Sequence, residues 1–281
     1  ATSPGAAASP QADLRARPVR VGAKTFTEQY ILARLVEARL ARAGFAVAQA
    51  ESLGSTVAFD ALRIDQIDVY VDYTGTIWAN YMKRTDVAPA WRVRAEVAAW
   101  LAQEHGIRSL GALGFENAYA LAMRAERARS LGVTSVADLA RHAPSLRLGS
   151  DYEFFQRPEW TRLRETYGLG FAALVSFDSS FMYDAVRRGE VDVVTAFSSD
   201  GRITAYDLVV LEDPRQAFPP YDAILLLAPG VASNRELAAA LRPLVSAIPV
   251  ARMREANLMV DRDDDKKTPA EAARWLDEGV K

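Results

Sequence analysis

The fold is decided by the stretch Asp68-Val69-Tyr70-Val71-Asp72-Tyr73-Thr74-Gly75-Thr76, which joins a buried strand to a turn that can open a helix. Val and Tyr in a short run favour a β-strand. The threonine hydroxyls beside Gly75 suit a helix cap, and a helix amino terminus suits an anion. Tyr73 therefore lies where a strand ends and a helix begins, which is where open α/β sheets bind ligands. A packed strand–turn–helix with a core tyrosine is the plainer alternative.

Strands and helices alternate on both sides of this stretch. Residues 18–23 are predicted to form a first strand, and Thr25-Phe26-Thr27-Glu28 fits a capping box, with a hydroxyl first and a carboxylate three residues later. The helix that follows carries apolar residues at helical spacing and ends at Gly44. A short strand is predicted over residues 45–48. This alternation with short loops predicts an α/β chain with a mostly parallel sheet.

An internal repeat links two distant parts of the chain. Residues 61–69 (Ala-Leu-Arg-Ile-Asp-Gln-Ile-Asp-Val) match the pattern of residues 185–193 (Ala-Val-Arg-Arg-Gly-Glu-Val-Asp-Val), 124 positions later. Five residues after the last aspartate of each copy stands an aromatic residue, Tyr73 in the first and Phe197 in the second. The repeat predicts two lobes of similar α/β design, whose matching strand ends face a shared cleft. Interfaces between domains are a preferred place for small-molecule sites.

The composition limits the possible classes of function. A length of 281 residues, with 50% hydrophobic and 25% charged residues, predicts a globular chain of one or two domains. The net charge is −2, and acidic and basic residues are mixed along the sequence. The chain therefore lacks the concentrated positive charge that nucleic-acid binding needs. The absence of cysteine excludes disulfides and thiolate metal sites. The two histidines, His105 and His142, stand near predicted helix ends, where a surface role is favoured over catalysis or metal binding.

Residues 1–17 are expected to form a flexible amino-terminal tail. Small residues dominate its beginning, and such a segment ahead of a first strand is typical of a mature exported chain whose signal peptide has been removed. An arbitrary chain boundary would look the same. No apolar run approaches the roughly 20 residues that span a bilayer.

Aromatic residues recur at predicted strand ends or loops, at Tyr73, Tyr119, Phe197 and Tyr221. Aromatic faces bind a quaternary ammonium, a cation without hydrogen-bond donors, through the ring quadrupole at about 0.5–2 kcal/mol per ring. At the upper end, four rings would supply roughly 8 kcal/mol, which is the scale of a micromolar affinity, and the entropy of association offsets part of this. Packing of these rings in the core and in lids is the alternative, and the residue types alone leave it open.

Four motifs, taken in order, give the chain a resemblance to a known family. They are Lys24-Thr25-Phe26-Thr27-Glu28-Gln29-Tyr30-Ile31-Leu32, Asp72-Tyr73-Thr74-Gly75-Thr76, Ser199-Asp200-Gly201-Arg202-Ile203 and Phe218-Pro219-Pro220-Tyr221-Asp222-Ala223. Together they resemble the substrate-binding proteins of osmoprotectant ABC importers, the glycine betaine, choline and carnitine family. The resemblance implies a two-lobed periplasmic-binding-protein fold (type II), with a mixed sheet flanked by helices in each lobe and the ligand in the interlobe cleft. Residues 18–117 and 223–281 are assigned to the first lobe, and residues 118–222 to the second.

The resemblance also implies the residues of the site. By motif, the aromatic box for a trimethylammonium head would consist of Tyr73, Tyr119, Phe197 and Tyr221. A ligand carboxylate would be held by Lys24, Thr76 and Arg157, and an arginine fork with a helix-end hydroxyl suits a carboxylate. Asn117 is expected to add a polar contact near the cation.

Two of these positions depart from the family pattern. Phe197 stands where the pattern often has tyrosine, so one box member loses its hydroxyl. Asn117 stands where an aspartate can occur, which removes a negative charge from the surroundings of the cation. The ligand class is kept, while its identity stays open between glycine betaine and carnitine, ergothioneine or choline.

The resemblance implies a binding protein rather than an enzyme. Its expected partners are a small quaternary-ammonium ligand and the membrane permease subunits of an ABC importer, without nucleic acid. The chain is expected to be a periplasmic or otherwise extracytoplasmic monomer, with no cofactor, catalytic residue or metal site. An enzyme is a less favoured alternative, since no phosphate-binding glycine loop and no spaced pair of carboxylates stands out. A sensor domain of the same architecture is also less favoured, because it would need an attached DNA-binding or membrane segment.

Overall fold

Two five-stranded mixed sheets form the framework of the protein. The computed structural model describes residues 14–280, apart from the side chains of residues 179 and 180. The strands are β1 (Val19–Lys24), β2 (Val47–Leu53), β3 (Val69–Tyr73), β4 (Arg108–Glu116), β5 (Tyr119–Arg124), β6 (Arg147–Asp151), β7 (Ala173–Phe177), β8 (Val193–Phe197), β9 (Leu208–Val210) and β10 (Asp222–Leu227). The first sheet has the order β2-β1-β3-β10-β4 and the second has the order β7-β6-β8-β5-β9. We call the parts of the chain built on these sheets the first and the second lobe.

Helices flank both sheets. They are α1 (Thr27–Arg42), α2 (Ser55–Arg63), α3 (Thr74–Thr76), α4 (Ala90–His105), α5 (Ala125–Leu131), α6 (Val136–Ala140), α7 (Pro158–Tyr167), α8 (Ser179–Arg188), α9 (Arg202–Ala205), α10 (Arg235–Leu241), α11 (Val250–Asp261) and α12 (Pro269–Glu278). A π-helical turn, Ile77–Tyr81, continues α3, and short 3₁₀ turns occur at Ala143–Ser145, Phe154–Gln156, Pro229–Val231 and Arg242–Leu244. Within residues 14–280, no helix combines the length and apolarity that a membrane crossing would require.

The predicted internal repeat is visible in the hydrogen bonds of the two sheets. The backbone N–H of Arg20 donates to Asp68 Oδ2 over 2.8 Å, and the N–H of Arg147 donates to Asp192 Oδ2 over 2.9 Å. In return, each aspartate N–H donates to the carbonyl of the same arginine, over 2.7 and 2.9 Å. Each aspartate thus ties the start of a central strand, β3 or β8, to its parallel neighbour, β1 or β6. Because the strand orders also correspond, the ends of β3 and β8 occupy equivalent positions.

The strands are apolar because helices cover them. In β3 every residue is buried, as expected for a central strand with both faces packed. In β8 Val193 belongs to one hydrophobic cluster and Val194 to another, because successive side chains point to opposite faces of the second sheet. The first lobe has one large core, which includes Met253 and Ala256 of α11.

Two crossings connect the lobes, from β4 to β5 and from β9 to β10. The predicted boundary after residue 117 falls in the first crossing, and the boundary after residue 222 falls one residue into β10. The assignment of the lobes to these ranges stays a prediction. Of the predicted tail, residues 1–13 lie outside the described residues, whereas Leu14 is buried and Arg17 pairs with Asp68 over 2.7 Å.

Two local predictions are wrong. The cap of α1 is Phe26, and within the described chain no side chain makes the capping bond predicted for Thr25 and Glu28. Instead, Thr27 Oγ1 donates to Asp261 Oδ1 over 2.6 Å, and Glu28 is bound by other elements. The strand predicted over residues 45–48 is β2, Val47–Leu53, an edge strand whose partly exposed polar residues hide its periodicity.

Candidate ligand-binding site

A cavity of about 370 Å³ lies between the two lobes. Its walls come from the turn after β1, the start of α1, the β4–β5 crossing, the segment after β8 and the end of α11. It is lined by Phe26, Thr27, Glu28, Asn117, Phe197, Ser199, Asp200, Asn257 and Asp261. Small-molecule sites typically occupy about 300–1,000 Å³. The cavity therefore has the size and the interlobe position of a small-ligand site.

The carboxylate of Glu28 is held in the cavity wall by donors from several elements. Its Oε1 accepts from Tyr73 Oη over 2.6 Å and from Asn117 Nδ2 over 3.3 Å. Its Oε2 accepts from Asn257 Nδ2 over 3.0 Å, and the Ser199 hydroxyl also donates to the carboxylate. Only 3% of Glu28 is exposed. The sequence places Glu28 on the same helix face as Ile31, and the interlobe donors explain how a carboxylate can occupy that face.

Burial and hydrogen bonding act on Glu28 in opposite directions. Burial raises the pKa of its carboxyl above the ordinary value, whereas the bonds from Ser199, Tyr73, Asn257 and Asn117 lower it without cancelling the rise. Burial and the neighbouring Glu28 charge raise the pKa of Tyr73 well above its ordinary value, so this hydroxyl stays a donor.

Two amide oxygens beside Glu28 have no hydrogen-bond partner within the described part of the chain. They are Asn117 Oδ1 and Asn257 Oδ1, and both are buried. The amide nitrogens of the same side chains are committed to Glu28. A buried acceptor without a donor costs about 1–3 kcal/mol. The polar wall of the cavity is therefore rich in acceptors.

Aromatic rings stand in two pairs around the cavity. Phe26 stacks on Tyr73 in the first lobe, with ring centroids 6.2 Å apart. Phe197 packs on Tyr119 in the second lobe, with centroids 4.9 Å apart. In each pair the phenylalanine lines the cavity, and the tyrosine lies behind it. Tyr119 also lines a neighbouring cavity of about 320 Å³ on the side of the lobe crossings.

The fourth predicted box residue, Tyr221, lies against the turn after β3. A Cβ atom on Gly75 would come within 2.5 Å of the Tyr221 ring, so only glycine permits this contact. Thr76, in the same turn, is partly buried. Tyr221 thus packs beside the strand end that holds Tyr73, rather than in the wall of the cavity.

The predicted carboxylate-binding residues are placed differently from one another. Lys24 Nζ is buried and pairs with Asp72 Oδ1 over 2.7 Å, so its charge is already matched. Arg157 is more accessible: it pairs with Glu159 over 3.2 Å, and its Cζ lies 5.3 Å from the centroid of the Tyr119 ring. The clamp role of both residues stays a prediction, and the geometry favours Arg157.

The end of α11 ties the first lobe to the segment after β8. Asn257 Nδ2 also donates to the carbonyl of Ser199 over 2.9 Å. A Cβ atom on Gly201 would lie 2.6 Å from Leu258 N and 2.8 Å from Arg254 O, so glycine permits this close approach of the two lobes. The cavity is closed on this side by direct contact between the lobes.

The structure brings together some predicted residues and adds others. Asn117 and Phe197 line the cavity, and Tyr73 and Tyr119 support its rings. No ligand-binding role was predicted for the lining residues Phe26, Glu28 and Asn257. The first two stand inside a motif that carries the family resemblance, and Glu28 falls on an otherwise apolar helix face, which is the signal that could have marked it. Asn257 lies in a helix whose sequence carries no such signal.

Comparisons with known proteins show the family of the chain. Residues 17–278 match the family model described as the substrate-binding domain of the ABC-type glycine betaine transport system. The glycine-betaine-binding protein of Pseudomonas aeruginosa is 31% identical over 92% of this chain and 86% of its own length. An ergothioneine transport permease/ergothioneine-binding protein of Helicobacter pylori is 27% identical over 90% of this chain and 46% of its own length. A crystal structure described as a glycine betaine/carnitine/choline ABC transporter superposes with a TM-score of 0.88 at 26% identity, covering 92% of this chain and 98% of that one. The chain belongs to the family of substrate-binding domains of ABC-type glycine betaine transport systems.

Proposed function

We propose that the chain captures a quaternary-ammonium osmolyte, a glycine betaine-like zwitterion, in the interlobe cavity and delivers it to the permease subunits of an ABC importer. The observation that carries this proposal is the wall of the cavity. Phe26 and Phe197 present rings from opposite lobes, and the polar groups between them are mainly acceptors. Each ring face contributes about 0.5–2 kcal/mol to the binding of such a cation.

A zwitterionic ligand would lie with its two ends in different surroundings. The cationic head fits the acidic side, near Glu28, where the described lining includes no Lys or Arg. The carboxylate would point past the Tyr119–Phe197 pair towards Arg157, since Lys24 is already matched by Asp72. Because the two lobes contribute different contacts, ligand binding would favour the closed arrangement by a shift of population.

The identity of the ligand stays open within this class. The names of the similar proteins include glycine betaine, ergothioneine, carnitine and choline, which supports all four as candidates. Together with the family, these names support an extracytoplasmic location and a permease partner, and we propose that the chain acts as a monomer. A sensor role or an enzymatic activity is less favoured.

Calorimetric titration of the protein with glycine betaine, choline, carnitine and ergothioneine tests the proposal. At least one ligand should bind, and Phe197→Ala should weaken its affinity by about tenfold or more, because a central aromatic anchor is lost. Trp91→Ala is the matched control, since Trp91 is 68% exposed and outside the cavity lining. If none of the four ligands binds, the quaternary-ammonium assignment is contradicted.

A further inference from the structure

We propose that Glu28 is the specificity-determining charge of the cavity, so that the protein selects its ligand by the positive charge of the head group rather than by the shape of that group. The inference rests on the proposed function and assigns its selectivity to one carboxylate. Glu28 lines the cavity, and both of its oxygens accept hydrogen bonds from neighbours that fix their position. A carboxylate fixed in this way needs little rearrangement when a cation arrives.

The charges around the cavity single out Glu28 among the carboxylates of its wall. Asp200 is matched by Arg202, with Oδ2 and Nη2 2.8 Å apart. Asp261 accepts a hydrogen bond from the Thr27 hydroxyl and is more exposed than Glu28. Among the described residues, no Lys or Arg forms an ion pair with Glu28, although the residue is almost fully buried. Glu28 is therefore the buried negative charge in this wall that a ligand cation can match.

The side chains that donate hydrogen bonds to Glu28 are neutral, so they leave its negative charge to be matched by a ligand cation. Asn117 approaches Oε1 over 3.3 Å, and a carboxylate in its place would repel Glu28 at the same distance. The asparagine that departs from the family pattern thus fits a site whose negative charge is supplied from the neighbouring helix. Of positions 28 and 117, only position 28 carries a carboxylate in this chain.

The ionisation of Glu28 should consequently be linked to ligand binding. The groups that hydrogen-bond to it are Tyr73 from β3, Asn117 from the crossing, Ser199 from the second lobe and Asn257 from α11. Asp200, which pairs with Arg202, and Asp261 line the same cavity. Because the pKa of Glu28 is raised by burial, its neutral form is reached at a higher pH than for an ordinary carboxyl. A cation binds the ionised form more tightly, so affinity should rise with pH through the pKa of the ligand-free protein and level off above it.

The test compares choline with its uncharged tert-butyl analogue, in which carbon replaces nitrogen and the shape is kept. Wild-type protein should prefer choline by roughly a hundredfold or more, since a desolvated charge pair is lost with the analogue. Glu28→Gln keeps the size and half of the acceptor capacity, and it should weaken choline by about thirtyfold while changing the analogue by less than about threefold. The double variant Glu28→Gln, Asn117→Asp returns a negative charge to the site and should recover part of the loss for choline.

The outcomes separate the inference from the proposed function. Equal losses for choline and the analogue in Glu28→Gln would make Glu28 a purely structural residue and overturn the inference, as would a folded double variant without any recovery. Failure of the wild-type protein to bind any quaternary ammonium would instead overturn the proposed function. If Glu28→Gln does not fold, the wild-type pH profile decides: affinity for choline should fall on acidification while affinity for the analogue stays level, and a parallel response would refute the role of charge.

Discussion

The contact of Gly201 with α11 predicts how the lobes respond to a single added methyl group. Gly201 precedes α9, whose Ile203 is buried in a core of the second lobe, whereas α11 packs into the core of the first lobe. In Gly201→Ala the new Cβ would lie 2.6 Å from Leu258 N and 2.8 Å from Arg254 O. These are backbone atoms, which cannot rotate away as a side chain can. Because Gly201 lies in the second lobe and α11 packs in the first, the substitution should push the lobes apart.

The size of the effect follows from the cost of overpacking. Inserting a methyl group into a packed contact costs about 1–3 kcal/mol. If the lobes relieve that strain by opening, closure around the ligand must restore the strained contact. Its free-energy cost is then taken from the binding free energy, and the affinity should fall by roughly five- to 150-fold. Calorimetry would measure the affinity, and small-angle scattering of the ligand-free protein would report the opening as a larger radius of gyration.

Gly170→Ala provides the matched control for this substitution. Gly170 is exposed in the same lobe, and among the described residues no atom lies within 4 Å of the position of its added Cβ. The affinity of the Gly170→Ala variant for ligand should equal that of the wild type. If Gly201→Ala binds as tightly as Gly170→Ala and merely melts at a lower temperature, the strain is absorbed inside one lobe and the reasoning is refuted.

Three further substitutions test the site. Tyr73→Ala should weaken ligand binding by more than about tenfold, because its ring backs the cavity wall and its hydroxyl orients the buried carboxylate; an unchanged affinity in calorimetry would remove Tyr73 from the site. Arg157→Ala should weaken glycine betaine far more than choline, because only the zwitterion has a carboxylate to lose; equal losses would argue against the clamp. Asp72→Ala leaves Lys24 buried without its ion partner and should lower the free energy of unfolding by about 3–5 kcal/mol in urea. The exposed Asp264→Ala should leave that free energy within about 0.5 kcal/mol, and equal losses would contradict the pairing argument.

The parts of the fold that repeat locally could be predicted from sequence. The apolar run of β3 and the repeated Asp-Val patterns predicted two related sheets, because such signals need only neighbouring residues. The strand β4 had no such signal and was not predicted. Gly111 and Gly114 interrupt it, with φ angles of 131° and 114°, so its alternation is broken where the chain bends.

The predicted site was limited by contacts between residues far apart in sequence. Thr25 and Glu28 satisfied a local capping rule, yet Glu28 is bound by Asn257, 229 residues later. Lys24 was expected to face the ligand, yet it pairs with Asp72 in the neighbouring strand region. In both cases a local pattern competed with a tertiary partner, and the tertiary partner decided the position of the side chain. No reading of neighbouring residues could supply that partner.

The paired aspartates at the starts of β3 and β8 have a consequence for how such a site can be built. They lock the two sheets into the same geometry at the ends remote from the ligand, which leaves the opposite ends free to differ. Tyr73 and Phe197 stand at these equivalent opposite ends, followed by unlike turns. A ligand with one positive and one negative end needs different side chains at its two ends. The repeated sheet geometry aligns the two strand ends, and the unlike residues there can give a bound ligand a single orientation.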